Sequence, residues 1–439
     1  MYTLSVFREL REQYPQWSAL KEFLESPAGG KLRIIECEQE GIHIIRYDKA
    51  TTDFSKSHVP WFRSVVWDGR TNLPLCVAPP KANQGLPQAV PPSAVASGDL
   101  RWEPFLEGVM INTYRSLADS EPQLATRSKL GASGVYYSKR PFNQLLQDAL
   151  ASQGTTLSVL LGAGGHQVPD GSVGETAVFA SLLLEHPEHR IVSKVTAPRV
   201  TRIHAGTVLA NGDVRIEEAL ESNGVPTYTA ASAAPPTTLT SEATGRWMTG
   251  EAERWGWQWQ GVVMKDGKGG RWRLRSTPYM MVRAMRGDTP RQDVRFLGLR
   301  QRSMVDTYLY YYPEEQAVLR RYEQEVRAVT EKIYQAYVSA HITKATKFGD
   351  LPAHWKPHVF SLHGLYLGSL RPQGFFVRKR EVITYVNELP IPRILHLLRK
   401  LRLENAVEDL EAPAVPAPSR AMDVEENEGD EEVVEVVAA

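Results

Sequence analysis

Trp259-Gln260-Gly261-Val262-Val263-Met264-Lys265, followed by Arg271-Trp272-Arg273-Leu274-Arg275 and Tyr279, is the stretch that decides how this chain is read. Gln260 to Met264 is a short apolar run around a glycine, the pattern of a buried strand. The next run alternates. On an extended segment Arg271, Arg273 and Arg275 point to one face, and Trp272 and Leu274 to the other. Three guanidiniums on one strand face, beside Lys265, concentrate positive charge, and guanidinium pairs bidentately with phosphate oxygens. A solvated strand face carries the same pattern, so the rest of the chain decides between the two.

The chain has 439 residues, long for one core, and two folded domains plus extras are expected. Its apolar runs fall short of a membrane span and Met1 to Glu25 is charged throughout, so neither a leader nor a membrane segment is expected. The two cysteines, Cys37 and Cys76, lack metal-ligand spacing, and their scarcity fits an intracellular, reducing compartment. The formal net charge of zero hides an asymmetry. From Pro413 onward there are eight acidic residues against Arg420, which leaves a body of 50 basic and 43 acidic side chains, about +7. A basic body with an acidic tail fits an anionic ligand such as nucleic acid, with a tail able to compete for its site or to meet a protein partner.

Along the chain, residues 1–27 read as amphipathic helix, with Phe7, Leu10 and Tyr14, then Trp17, Leu20 and Phe23, at helical spacing. Strands follow at 32–36 and 42–46, then a hairpin from Trp61–Gly69 to Leu73–Val77 that leads into Pro79-Pro80-Lys81. Further strands are expected at 102–114, 124–128 and 175–185, with mobile loops near 85–99 and 220–245. Beyond Arg286 the pattern turns helical. Pro313 opens a helix with Leu319, Tyr322, Val326, Val329, Ile333 and Tyr337 on one face, and another helix surrounds Ile391–Leu403. The expected division is 1–286, a helical domain at 287–412, and a disordered acidic tail at 413–439.

Taken in order, these segments resemble the RNA-ligase branch of the covalent nucleotidyltransferase superfamily. Arg63-Ser64-Val65-Val66-Trp67-Asp68 and Pro79-Pro80-Lys81 look like that family's Arg-Gly strand and Pro-x-x-Lys element. Phe105-Leu106-Glu107-Gly108 falls where its Lys-x-Asp-Gly nucleophile motif belongs, and Thr126-Arg127-Ser128 is similar to its Thr-Lys-Gly-Ser. Pro187-Glu188-His189-Arg190-Ile191-Val192 is close to its Pro-x-Asn-Arg-Ile-Val turn. Gln260-Gly261-Val262-Val263 and Arg273-Leu274-Arg275 resemble its Glu-Gly-x-Val and Lys-x-Lys strands. The chain as a whole resembles RNA-ligase-like proteins of large DNA viruses. The resemblance implies an α+β fold: a nucleotidyltransferase (ATP-grasp-like) domain with mixed and antiparallel sheets, plus a helical C-terminal domain.

The departures carry equal weight. Ligase chemistry needs a lysine amine to attack the α-phosphate of ATP. Phe105 stands at that position, Leu183 where a carboxylate contacts the ribose, and Gln260 where the fourth motif has glutamate. Arginine replaces both lysines of the fifth motif; it keeps the charge and grips phosphate but does not shuttle protons near neutral pH. The resemblance therefore implies a basic cleft lined by Arg63, Lys81, Arg127, Lys265, Arg273 and Arg275; Glu107 reads either as a carboxylate toward Mg²⁺ or a ribose hydroxyl, or as the buried partner of an arginine. That cleft would bind a nucleotide or RNA end with degraded adenylylation chemistry. Two alternatives stay open. One is an active ATP- and Mg²⁺-dependent RNA ligase or nucleotidyltransferase with Lys81 or Lys265 as a displaced nucleophile; the other is a structural component of a virus particle. Weaker signals are the glycine-rich 162–166, His354, His358 and His363, and the tyrosines of 308–312. They read as a loop, ordinary histidines and core packing.

Overall fold

The structure, a computed structural model, describes residues 1–37, 39, 41–88, 91–161, 174–217 and 235–411. The glycine-rich 162–166 and the acidic tail lie outside them. The strands are β1 (Tyr2–Leu4), β2 (Arg33–Glu36), β3 (Ile42–Arg46), β4 (Val65–Asp68), β5 (Leu73–Val77), β6 (Asn83–Gln84), β7 (Leu100–Pro104), β8 (Val109–Ser116), β9 (Gln123–Ala125), β10 (Glu175–Glu185), β11 (Arg199–Leu209), β12 (Val214–Glu217), β13 (Gly261–Asp266) and β14 (Arg271–Arg275). They make a six-stranded sheet, β1-β12-β11-β10-β8-β9, and two four-stranded sheets, β6-β14-β13-β7 and β2-β3-β4-β5. All pairings are antiparallel except β14 with β6. With the helices, this is an α+β architecture.

Two-residue periodicity assigns the faces. Along β10, Ala177 and Phe179 join a core made with β3 to β5 and the helices Val6–Gln13 and Trp17–Glu25. Ala180, Leu182 and Leu184 turn the other way, onto Leu145, Leu146 and Ala149 of the helix Phe142–Ser152. This is why β10 reads as an unbroken apolar run: it is covered on both sides.

The β7-β13-β14 sheet has its own core. Leu100 and Trp102 of β7 and Val262 and Met264 of β13 cluster with Leu239 and Ala94, and Trp272 and Leu274 of β14 pack against them. Burying one such side chain stabilises by about 2 kcal/mol. The arginines of β14 are thereby forced to the opposite face.

Three expectations change. Of the loop expected at 220–245, residues 218–234 lie outside the described residues, while 241–245 begin a helix, Ser241–Trp255. The Thr240 hydroxyl accepts the Ala243 amide at 3.1 Å and caps it. In 85–99, Ala94 is buried and Leu86 and Val95 pack on the third core, which ties that loop down. The chain also divides later than residue 286, into compact units Met1–Gln316 and Ala317 onward. A buried network explains the shift. Glu315 accepts Arg286 at 2.6 Å, Arg295 at 3.1 Å and the Tyr308 hydroxyl at 2.9 Å, holding 287–315 to the first unit.

The second unit contains the helices Gln316–Tyr337, Lys356–Leu365, Lys379–Glu388 and Ile391–Glu411. Leu319, Tyr322, Val326, Val329, Ile333 and Tyr337 are all buried, as their spacing predicts. Among the described residues no helix is long and apolar enough to cross a membrane.

Candidate functional site

The strand register places the site. Across β13, Gly261 pairs with Arg275, Val263 with Arg273 and Lys265 with Arg271; on its other side Val263 pairs with Glu103 of β7. Residues paired across strands share a face. That face meets Met110, Leu183 and Ile203 of the six-stranded sheet, and between them lies a cavity of about 290 Å³. Arg63, Glu107, Gln260 and Arg283 complete its polar lining. Gly261 is needed for the closeness of β13 and β14. Its φ is +125°, and a Cβ there would stand 2.0 Å from the Leu274 carbonyl oxygen.

Like charges opposite one another in a sheet repel. Lys265 and Arg271 are such a pair, and the counter-charge comes from Glu103, whose Oε2 is 2.7 Å from the Lys265 ammonium. Both members of this ion pair are buried. Arg271 is only 8% exposed, and its Nε and Nη1 have no hydrogen-bond partner among the described residues. The Nε atoms of Arg273 and Arg275 also lack partners. Buried donors are normally satisfied, so this row points to a ligand with acceptor oxygens. The acceptors without partners, Glu103 Oε1, Glu107 Oε2 and Gln260 Oε1, suit hydroxyl or amine groups on the same ligand.

The charges act on one another. Burial, helped by Arg271, Arg127 and Arg273, brings the Arg63 guanidinium down to about 10, which leaves it protonated at neutral pH. Burial, then Arg273 and Arg283, lowers Arg275. Burial raises Glu107, against the pull of Tyr279, the Val192 and Ser193 amides and Arg283. Glu107 is also an anchor: its Oε1 accepts Val192 N–H at 2.8 Å and Ser193 N–H at 3.1 Å. That contact fixes the chain after Arg190. Arg190 itself bonds Glu314 at 2.6 Å and the Tyr311 carbonyl at 2.8 Å, and lies over the Tyr312 ring.

Of the expected cleft residues, Arg63, Glu107, Lys265, Arg273 and Arg275 line this cavity, as do Phe105, Leu183 and Gln260. Phe105 has its amide on the Gly261 carbonyl and its ring 5.2 Å from the Arg275 guanidinium. Lys81 and Arg127 do not line it. The Lys81 ammonium sits 3.4 Å from the centre of the Phe54 ring. Arg127 donates to the Tyr47 carbonyl at 2.7 Å, although its charge is felt by Arg63 and, after burial and together with Arg273, lowers Lys49. Glu103 and Arg283 were not expected from the sequence, and Arg271, placed beside Arg273 and Arg275 by the alternation, was absent from the expected cleft lining. Arg271 belongs to the same alternation as Arg273, and Glu103 alternates with Trp102, so both had a signal; Arg283, one helical turn after Tyr279, had only a weak one.

The weaker signals fall elsewhere. His354 pairs with Glu404 at 2.8 Å, His358 bonds the Tyr385 hydroxyl at 2.9 Å, and His363 stacks on His341 at 3.9 Å. Among the described residues no three His, Cys, Asp or Glu side chains converge as metal ligands. Tyr308 and Tyr312 are fully buried, which makes them core, while Tyr310 is exposed.

Fold and site together define an α+β protein with an arginine-lined cavity between two sheets. No family model and no curated protein matches the chain. Among solved structures, an archaeal ATP-dependent RNA ligase (form 1) matches 83% of this chain and 83% of its own, at 13% identity and a TM-score of 0.35. A likeness that loose decides neither fold nor chemistry.

Proposed function

We propose that the protein binds the phosphate end of a nucleotide, free or at the end of an RNA, in this cavity without becoming nucleotidylated. The observation that carries the reading is the composition of one cavity. Arg63, Arg271, Arg273, Arg275 and Arg283 line it, and three of them lie on a single strand face with Nε donors that have no partner among the described residues. Guanidinium is the side chain best suited to phosphate oxygens. The unpartnered acceptors of Glu103, Glu107 and Gln260 supply the other half of a nucleotide-like ligand, its hydroxyls and amines. The RNA-ligase-like resemblance of the motifs agrees with this reading, and in it the protein is a pseudoenzyme.

The lack of transfer rests on two side chains. Phe105, at the nucleophile's place in the motif, has no nucleophilic atom and packs beneath Arg275. Lys265 is the lysine that lines the cavity, but its amine is held in a buried ion pair with Glu103. An amine attacks phosphorus through its lone pair, and here the amine is engaged by the Glu103 carboxylate. A second reading, an active nucleotidyltransferase with Lys265 displaced into the nucleophile's role, is favoured by its place in the lining alone.

The test uses ATP labelled at the α-phosphate. Equilibrium dialysis should show retention by the native protein, and a denaturing gel should show no label on the chain. Label that survives denaturation and is lost in Lys265→Met would establish the second reading. Absence of retention at millimolar ATP would remove both.

A further inference from the structure

The motif resemblance implies magnesium beside ATP, and the donor set of this cavity does not fit that ion. We propose that the cavity takes its polyphosphate as the free anion, and that magnesium competes with the protein for the phosphate oxygens. The inference rests on the phosphate-binding reading above.

Charge balance is the first ground. Arg63, Lys265, Arg271, Arg273, Arg275 and Arg283 face two carboxylates, Glu103 and Glu107, an excess of four positive charges around one small cavity. A fully ionised triphosphate tail brings about four negative charges and matches that excess. Its magnesium complex brings about half as many, and adds a dication among guanidiniums that already repel one another.

The second ground is what the carboxylates already do. Magnesium is usually held by one or two carboxylates together with waters and phosphate oxygens. Here Glu103 is the counter-charge of buried Lys265 at 2.7 Å, and Glu107 holds the Val192 and Ser193 amides. Each keeps one oxygen without a partner among the described residues, Glu103 Oε1 and Glu107 Oε2, but a dication there would compete with the Lys265 ammonium and the surrounding guanidiniums for the same carboxylates. Nor does any trio of metal-ligating side chains converge among the described residues. The third ground is the donors. The Nε and Nη1 of Arg271, on a side chain more than nine-tenths buried, have no partner among the described residues, and oxygens already bound to magnesium are poorer acceptors for them.

The experiment is calorimetric titration of the full chain with sodium triphosphate and, separately, with ATP. Each is run in EDTA and in millimolar magnesium chloride at matched ionic strength. Binding in EDTA that weakens about tenfold or more with magnesium is expected, since the ion removes free ligand by mass action. Arg271→Leu/Arg273→Leu should lose the EDTA signal, and unchanged binding by that variant would place the anion elsewhere and overturn the inference. Equal or tighter binding with magnesium would also overturn it while leaving the phosphate-binding reading intact. No binding in either condition would bring down both.

Discussion

Glu103→Gln should move stability and anion affinity in opposite directions. Lys265 is 1% exposed and Glu103 3%, with 2.7 Å between their charged atoms. Glutamine keeps the shape and one acceptor but removes the charge, leaving a buried ammonium paired across the strand with Arg271. Truncating one partner of a buried ion pair costs about 3–5 kcal/mol, and the retained hydrogen bond places this change near the low end. At roughly 2 °C per kcal/mol in large domains, the thermal midpoint should fall by about 6 °C. The same change raises the positive excess of the cavity by one. At about 8 Å and an effective dielectric near 20, a unit charge is worth about 2 kcal/mol, so triphosphate should bind roughly tenfold tighter or more. Differential scanning fluorimetry and calorimetry read the two effects on one preparation. An unchanged midpoint would refute the ion-pair argument, and weaker triphosphate binding would make Glu103 a ligand contact in place of a counter-charge.

Three other substitutions probe the scaffold and the limits of the site. Gly261→Ala puts a methyl group 2.0 Å from the Leu274 oxygen at a φ of +125°, and a loss of at least about 3 kcal/mol in urea denaturation is expected. Lys81→Ala should leave anion binding within about twofold, because Lys81 lies over Phe54 and outside the cavity; a loss above tenfold in calorimetry would contradict that placement. His189, buried against Tyr137 and Phe142, has its pKa pushed down to about 4, chiefly by burial. Because the folded value is the depressed one, its contribution to stability is complete above the ordinary value of about 6.5 and is lost as pH falls toward 4, on the order of 3 kcal/mol in all. His189→Phe should flatten the urea midpoint between pH 7 and 4.5, and an unaltered pH profile would show that this ring does not set the acid sensitivity.

Much of the β14 face was legible because a strand's period of two leaves no choice once Trp272 and Leu274 need a core. The long helix after Pro313 was legible for the matching reason at period 3.6. What one sequence does not encode locally is which distant segments meet. Glu103 and Leu183 reach the cavity from two different sheets and Arg63 from the turn before β4, and only the fold brings them together. Lys81 and Arg127 looked like members by motif order, yet an aromatic ring and a backbone carbonyl hold them elsewhere. The unit boundary moved from 286 to 316 because a single carboxylate, Glu315, gathers two arginines and a tyrosine from across that interval. The helix Ser241–Trp255 starts inside a stretch that reads as loop, and its cap, Thr240, sits in a run of threonines where no one residue stands out.

The most direct measurement is the affinity of ATP for the unaltered chain and for Arg271→Leu/Arg273→Leu, by calorimetry in EDTA. Two charge-assisted contacts at about 1.5–3 kcal/mol each predict a loss of roughly a hundredfold or more, with the fold intact by circular dichroism. Equal affinities for the two proteins would mean that the phosphates do not lie on the β14 face, and the account of this cavity would be wrong.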